Sequence, residues 1–471
     1  TNFPHSGPWD YLQDVPLFWY GPGIIPGLGV VDRPVTIADI PSTQASLLGF
    51  DFDAPDGRAL PEIPAPQTPP ALIVTLVWDA AGRNVLDTFP DDWPVLRSLL
   101  DDGVWFEDAS VGSSPSITPA THATIGTGAF PMRTGQTDAE FRIGPDLVRA
   151  GALGPVLMME PTLGDLYDRA MDNEPLVGAL ASVTWHLNMA SHGALWGGGD
   201  RDVAVLRVPV RATNEGAEGT TWNLQGKNVP FYDFPEYVND LPPLSAYTEE
   251  VDRSDGALDG KWRDNSIEQY ELGWATPARI PYQGRMVEAV IAQEGFGADD
   301  VPDLLFVNFK AIDHVSHIWS VNSPEMADTL RSQDEDLGRF IGFLDETVGE
   351  GRWVLVLTAD HGAQFDPEVS EAFQVTPGQL AQDLEAAFPS ATGESVFQAV
   401  RTSQIYVNES AMRTSGYAFE DIARFVLDYT KEQGAPDPSI VPADQLDDKV
   451  FAAAFPIDVL PRLRCLPEAR V

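Results

Sequence analysis

Two short segments carry the side chains best suited to chemistry: Asp313-His314-Val315-Ser316-His317 and Asp360-His361-Gly362. Each sets carboxylate close to imidazole, and Asp79 adds a further carboxylate at the end of an apolar run. Carboxylate and imidazole donors in a four-coordinate site suit zinc, with manganese and iron as alternatives. A third segment, Ser116-Ile117-Thr118-Pro119-Ala120-Thr121-His122-Ala123-Thr124-Ile125-Gly126-Thr127-Gly128, reads as a threonine-rich helix start. The Thr118 hydroxyl is a poor nucleophile unless a base or a metal stabilises its alkoxide. A helix beginning there would also offer N–H groups to a phosphate.

Four apolar, β-branched runs must position these groups. Leu72 to Trp78 runs into Asp79, Leu304 to Phe309 precedes Asp313, Trp353 to Thr358 runs into Asp360, and Val15 to Tyr20 lies near the N-terminus. Such runs read as strands buried on both faces, joined by stretches long enough for helical crossovers. In open parallel sheets ligands bind beyond the carboxyl ends of the strands, and three of these runs place acidic residues there. Residues 53–70 hold six prolines and read as an extended, stiff linker. Residues 212–280, rich in Trp, Tyr, Asp, Asn and Pro, read as an irregular insertion or cap. His122, His192 and His314 are read as packing or supporting residues.

Composition narrows the function classes. The chain has 471 residues, 43% hydrophobic and 21% charged, an ordinary globular mix. Twenty-nine basic against 71 acidic residues give a formal charge of -42, which opposes nucleic-acid backbones and anionic membranes as partners. The single cysteine, Cys465, excludes an internal disulfide and a cysteine-rich zinc module. No run of 18 apolar residues exists. The chain opens on Thr1 without a charged-then-apolar leader, the expectation being that a signal peptide or an initiator methionine was removed.

The threonine segment resembles the nucleophile segment of the alkaline phosphatase superfamily, most closely its nucleotide pyrophosphatase/phosphodiesterase-like branch. The resemblance implies an α/β fold: a central, mostly parallel sheet sandwiched by helices, with an irregular cap. It implies Thr118 as nucleophile, and Asp79, Thr118, Asp360 and His361 around one divalent metal. Asp313 and His317 match the Asp-x-x-x-His pair of a second metal. Both metals are expected to be zinc. The second metal then needs one more histidine, which relatives take from the C-terminal part of the chain. No histidine follows His361 here. His5-Ser6-Gly7-Pro8-Trp9-Asp10-Tyr11, followed by Val15-Pro16, is similar to that C-terminal stretch, as are Tyr20-Gly21-Pro22-Gly23-Ile24 and the residues to about 63. The chain is therefore read as circularly permuted, with His5 closing the second metal site. The whole is read as one domain: residues 1–63 permuted, 71–375 the metal-site core with its cap, and 376–471 completing the sheet.

Thr121 stands where many relatives carry an Asn that contacts phosphate. His186 and Asn188 stand where phosphomonoesterase relatives carry a Lys-x-Arg. These three are the candidate substrate-binding residues. The loss of two firm positive charges points to a small phosphodiester or pyrophosphate substrate, since a monoester dianion needs more charge compensation. Phosphomonoester hydrolysis and phosphotransfer are the alternatives on the same site. A sulfatase would need a modifiable Cys or Ser at Thr118 and an Arg at His122. A non-catalytic, metal-stabilised binding protein is the alternative of another class. Export from the cytoplasm is the expected location, because most members of the superfamily act outside it. Oligomeric state is not legible.

Overall fold

The computed structural model describes residues 5–209, 220–224, 226–267, 275–370, 372–375, 377–435 and 437–460. Parts of the expected cap and the tail carrying Cys465 lie outside these residues. Residues 1–143 and 148–365 form one compact unit, and residues 144–147 with 366–471 form another.

Ten strands of the larger unit make one sheet: β1 (Leu17–Tyr20), β2 (Gly29–Val31), β3 (Leu72–Trp78), β4 (Val104–Phe106), β5 (Val177–Leu180), β6 (Asp202–Pro209), β7 (Thr220–Asn223), β8 (Tyr232–Asp233), β9 (Asp303–Phe309) and β10 (Trp353–Thr358). Their order is β7-β6-β5-β9-β3-β10-β1-β4-β2, with β8 paired to β6. The five strands β6, β5, β9, β3 and β10 run parallel, and β1 adds antiparallel to β10. Every residue of β3, β9 and β10 is buried. Strands apolar on both faces are stable only when both faces are covered. That explains their unbroken Val, Leu and Ile character.

The unit's helices include α1 (Asp39–Leu48), α2 (Thr118–Thr127), α3 (Leu163–Ala170), α4 (Arg279–Val290), α5 (Ala311–Trp319) and α6 (Pro324–Leu344). Pro119 in the first turn of α2 fixes φ where an N–H is dispensable, and Gly128 closes that helix in the left-handed region at φ 64°. Residues 51–70 hold no helix or strand, yet Leu60 and Ile63 are anchored in the core. None of the described helices is long and apolar enough to cross a membrane.

Two expectations are corrected. Among the described residues, none of those after 376 joins the central sheet. Residues 376–471 belong to the second unit, which has its own two-stranded sheet, β11 (Phe397–Val400) and β12 (Ile405–Val407), and two longer helices, α7 (Pro377–Ala387) and α8 (Phe419–Asp428). Leu384, Phe388, Val396, Met412 and Tyr429 fill a separate apolar core there. The chain thus divides into two units where one domain was expected. Within 212–280, β7 and β8 join the main sheet, so that stretch is not wholly a cap.

α3 also carries a buried carboxyl, Asp168. Burial, with Asp200 and Asp165 nearby, pushes it up to about 7. A carboxyl raised in the fold favours the native state fully below its unfolded value near 4. That contribution is lost as pH rises through about 7. Asp168→Asn should therefore raise stability above pH 7 by roughly 1–3 kcal/mol and leave it unchanged near pH 4. Thermal melts at both pH values check this; an equal shift at both would rule out the ionisation as the cause.

Candidate metal and phosphoryl site

The carboxyl ends of β3, β9 and β10 meet at one place. Asp79 directly follows β3, and its N–H continues the ladder to the Phe309 carbonyl at 3.0 Å. The chain then turns sharply at Ala80, whose φ is +63°. The Ala80 N–H donates to Asp360 Oδ1 at 3.0 Å, tying the ends of β3 and β10 together. After β9, Lys310 leads into α5, which places Asp313 and His317 one turn apart on the same face.

The N-terminal segment reaches this place. His5 Nε2 lies 3.0 Å from Asp313 Oδ1, and His317 Nε2 lies 3.4 Å from the same oxygen. The His5 ring stacks on His361 at 3.7 Å and on His317 at 4.9 Å between centroids. The segment is held by Gly362 N–H donating to the Leu12 carbonyl at 3.1 Å and Arg83 N–H to the Asp14 carbonyl at 3.0 Å. A side chain at residue 362 would collide with the Tyr11 carbonyl, 2.0 Å from an added Cβ, so glycine is required there.

The second group of candidates converges on His361 Nε2. Thr118 Oγ1 lies 3.1 Å from it, Asp360 Oδ2 3.1 Å and Asp79 Oδ1 3.8 Å. His361 Nδ1 donates to the Gly362 carbonyl at 3.0 Å, which leaves Nε2 to face the other three. Thus the seven side chains proposed as metal ligands, His5, Asp79, Thr118, Asp313, His317, Asp360 and His361, lie together in the fold. All but His5 and His317 are essentially buried residues.

These residues fit divalent metals on their own geometry. His5 Nδ1, Asp313 Oδ1 and Asp360 Oδ2 are buried and have no hydrogen-bond partner among the described residues. Close approach without hydrogen-bond geometry is what co-ligands facing a shared point show. Tetrahedral coordination with bonds near 2.0–2.1 Å places ligand atoms about 3.3 Å apart, and the spacings here run from 3.0 to 3.8 Å. His5, Asp313 and His317 form one possible cluster and Asp79, Asp313 and His361 another. Burial and the neighbouring His361 push His5 down to about 4, so its imidazole is neutral with a lone pair to give. His361 is also buried, but the Asp360, Asp79 and Asp313 carboxylates outweigh that and push it up to about 9.

The three substrate-binding candidates are placed differently. The Thr121 hydroxyl donates back to the Ile117 and Thr118 carbonyls, at 3.1 and 3.2 Å, rather than outward. Asn188 Nδ2 donates to Gln136 Oε1 at 3.4 Å. His186 accepts the Val183 N–H on Nδ1 at 3.2 Å and directs Nε2 toward Asp79 Oδ2 at 3.4 Å. Burial pushes His186 down to about 3, so it brings no charge. Two of the N–H groups expected at the start of α2 are also spoken for. Pro119 has none, and those of Ala120 and Thr121 donate to the Ile117 carbonyl at 3.0 and 3.1 Å.

His122 behaves as a supporting residue: Nδ1 donates to the Thr118 carbonyl at 2.9 Å and Nε2 accepts the Asn308 amide at 2.9 Å. His314 Nδ1 accepts from Arg279 at 2.9 Å, and Arg279 also donates to the Ser182 hydroxyl. His192 pairs with Asp165 at 2.6 Å, away from the cluster.

Sequence reasoning missed Lys310 and Asn308. Asn308 donates to Asp79 Oδ2 at 2.8 Å. Lys310 is buried, with Nζ 2.7 Å from Asp79 Oδ1, 2.8 Å from Asp313 Oδ2 and 3.4 Å from Thr118 Oγ1. Burial works against its charge, yet Asp313, Asp79 and Asp360 hold its pKa above the ordinary lysine value. A signal was present: a lysine closing an apolar strand whose carboxyl end carries acidic groups is an unusual residue to bury.

The chain is similar to several known proteins. Residues 73–388 match the model of the type I phosphodiesterase / nucleotide pyrophosphatase family. The chain is 22% identical over 435 residues to alkaline phosphatase PafA of Elizabethkingia meningoseptica, covering 84% of this chain and 78% of that protein. It is 23% identical over 336 residues to alkaline phosphatase PhoV of Synechococcus elongatus, covering 63% of this chain and 60% of that one. The crystal structure of wild-type PafA superposes with a TM-score of 0.62 at 20% identity, over 85% of this chain and 82% of that one, a likeness of fold. With more than half of its length matched by the family model, the chain belongs to the type I phosphodiesterase / nucleotide pyrophosphatase family and is a phosphoester hydrolase.

Proposed function

We propose that this enzyme hydrolyses phosphodiester or pyrophosphate bonds of a small substrate through a covalent phosphothreonine on Thr118, at a centre holding two zinc ions. The observation that carries this reading is the Thr118 hydroxyl at the first turn of α2, 3.1 Å from His361 Nε2 and beside both carboxylate–imidazole clusters. Asp79, Thr118, Asp360 and His361 would hold one ion, and His5, Asp313 and His317 the other. Bound there, such ions would offset negative charge on the hydroxyl oxygen and the phosphoryl oxygens. Thr118 Oγ forms the bond to phosphorus as the bond from phosphorus to the leaving-group oxygen breaks. The hydroxyl proton passes to solvent, and the leaving group takes one up. Water then cleaves the phosphothreonine and restores the hydroxyl. His122, bonded to the Thr118 carbonyl, keeps the nucleophile's backbone in place through both steps.

Residues 1–63 supply His5 and β1 to a centre otherwise built from 79–361, which supports reading them as the family's C-terminal segment in a permuted position. The diester preference rests on His186 and Asn188, neither of which brings a charge to the site. The second reading is phosphomonoester hydrolysis, and Lys310 favours it by restoring one positive charge beside Thr118. Both curated relatives named above are called alkaline phosphatases. Steady-state rates on bis(4-nitrophenyl) phosphate and 4-nitrophenyl phosphate separate the two. We expect kcat/KM at least about tenfold higher for the diester, one charge fewer to neutralise being worth ~1.4 kcal/mol or more; the reverse order would replace this reading with the monoesterase one.

A further inference from the structure

Lys310 has a role that the metal ligands do not cover. Its ammonium has three N–H groups and three oxygen neighbours: Asp79 Oδ1 at 2.7 Å, Asp313 Oδ2 at 2.8 Å and Thr118 Oγ1 at 3.4 Å. Asp79 and Asp313 are assigned to different ions in the reading above, so the lysine sits between the two proposed sites. The third neighbour is the oxygen on which negative charge would develop. A neutral hydroxyl oxygen is a weak acceptor, in keeping with the longer 3.4 Å separation. A charged donor gains strength when its acceptor becomes an anion.

His361 Nε2 lies 3.1 Å from that oxygen but is assigned to a metal in the reading above, and most other donors have partners of their own. Pro119 has no N–H, and the Ala120 and Thr121 N–H groups go to the Ile117 carbonyl. The Thr121 hydroxyl, Asn188 and Arg279 have partners elsewhere. Lys310 is thus the group placed to donate to Thr118 Oγ1. Its short tether, one residue between the end of β9 and the start of α5, leaves the chain little freedom to move it.

We propose that Lys310 is a catalytic residue of this centre, its ammonium serving as a fixed hydrogen-bond donor and positive partner to the Thr118 oxygen as that oxygen attacks phosphorus. The inference rests on the phosphothreonine reading above. The oxygen–phosphorus bond forms as the leaving-group bond breaks, and the hydroxyl proton goes to solvent. Lys310 keeps all three of its protons throughout. Such a donor acts in the transition state more than in the ground state, so its loss should lower kcat and spare KM.

The test compares purified, zinc-loaded wild type, Lys310→Met, Lys310→Gln and Thr118→Ala for kcat, KM, zinc per chain and thermal melting. Lys310→Gln keeps a polar side chain between the two carboxylates, guarding against collapse of the apolar variant. We expect both lysine variants to lose about 10²–10³-fold in kcat, the loss known for removing one oxyanion donor, with KM and zinc content within twofold of wild type. Lysine variants within threefold of wild type in kcat, beside an inactive Thr118→Ala, would overturn the inference alone and leave Lys310 as a tether between carboxylates. Activity that falls only with zinc loss, and returns at saturating zinc, would overturn it equally. An active Thr118→Ala would instead overturn the phosphothreonine reading on which it rests.

Discussion

Thr118→Ala will lower phosphoester hydrolysis by about 10⁴-fold or more, the scale on which removing a covalent nucleophile acts, and will leave the fold intact. Among the described residues the hydroxyl is hydrogen-bonded to His361 at 3.1 Å and to Lys310 at 3.4 Å. The contact that ties α2 to β9, from the Asn308 amide to His122 Nε2 at 2.9 Å, does not involve the Thr118 side chain and survives the substitution. Alanine is also a favourable helical residue. Metal content should fall little, because Asp79, Asp360 and His361 still face one another. Elemental analysis and melting temperature separate a missing nucleophile from a damaged site. Full activity in the variant would sink the covalent mechanism, whatever the metal content.

His5→Ala has the second largest expected effect. His5 faces Asp313 and His317 with a neutral imidazole, and burial removes competing water. Losing it strips the second cluster to two protein ligands, too few for tight zinc binding. Zinc should drop from two per chain towards one, with activity lower by at least about 10²-fold, since even outer partners of a metal site cost 10–100-fold. Chelation should abolish wild-type activity, and added zinc should restore it at concentrations that fail for His5→Ala. The backbone anchors of the segment lie at Leu12 and Asp14, so the substitution does not release it. Unchanged zinc and activity would make His5 an ordinary terminal histidine and would remove the main support for a permuted chain.

The strands that frame the site were legible because of how they must be buried. Leu72–Trp78 and Trp353–Thr358 coincide with the apolar runs read from the sequence, and the third run, Leu304 to Phe309, gains only Asp303. A run with no polar face cannot lie at a surface, so local sequence alone declares it. The start of α2 at Thr118 was legible for a similar reason, since Pro119 is tolerated in a first turn and disruptive further in. Residues 376–471 gave a different result. Their short, half-polar strands and amphipathic helices pack as well on one another as on a larger sheet, and only the folded chain shows that they form their own core.

Within the site the division follows the same physics. Residue types determined the chemistry on offer: carboxylates, imidazoles and one hydroxyl at strand ends and a helix start. Which of them act together is a matter of partners distant in the chain. Thr121 and Asn188 looked available to a substrate until the fold turned them to the Ile117 carbonyl and to Gln136. Lys310 drew no notice in the sequence, and the fold sets it against Asp79, 231 residues away. A side chain's intrinsic groups belong to its sequence, but its charge state and its partner depend on burial and on what lies across the gap. Those are properties of the tertiary structure alone.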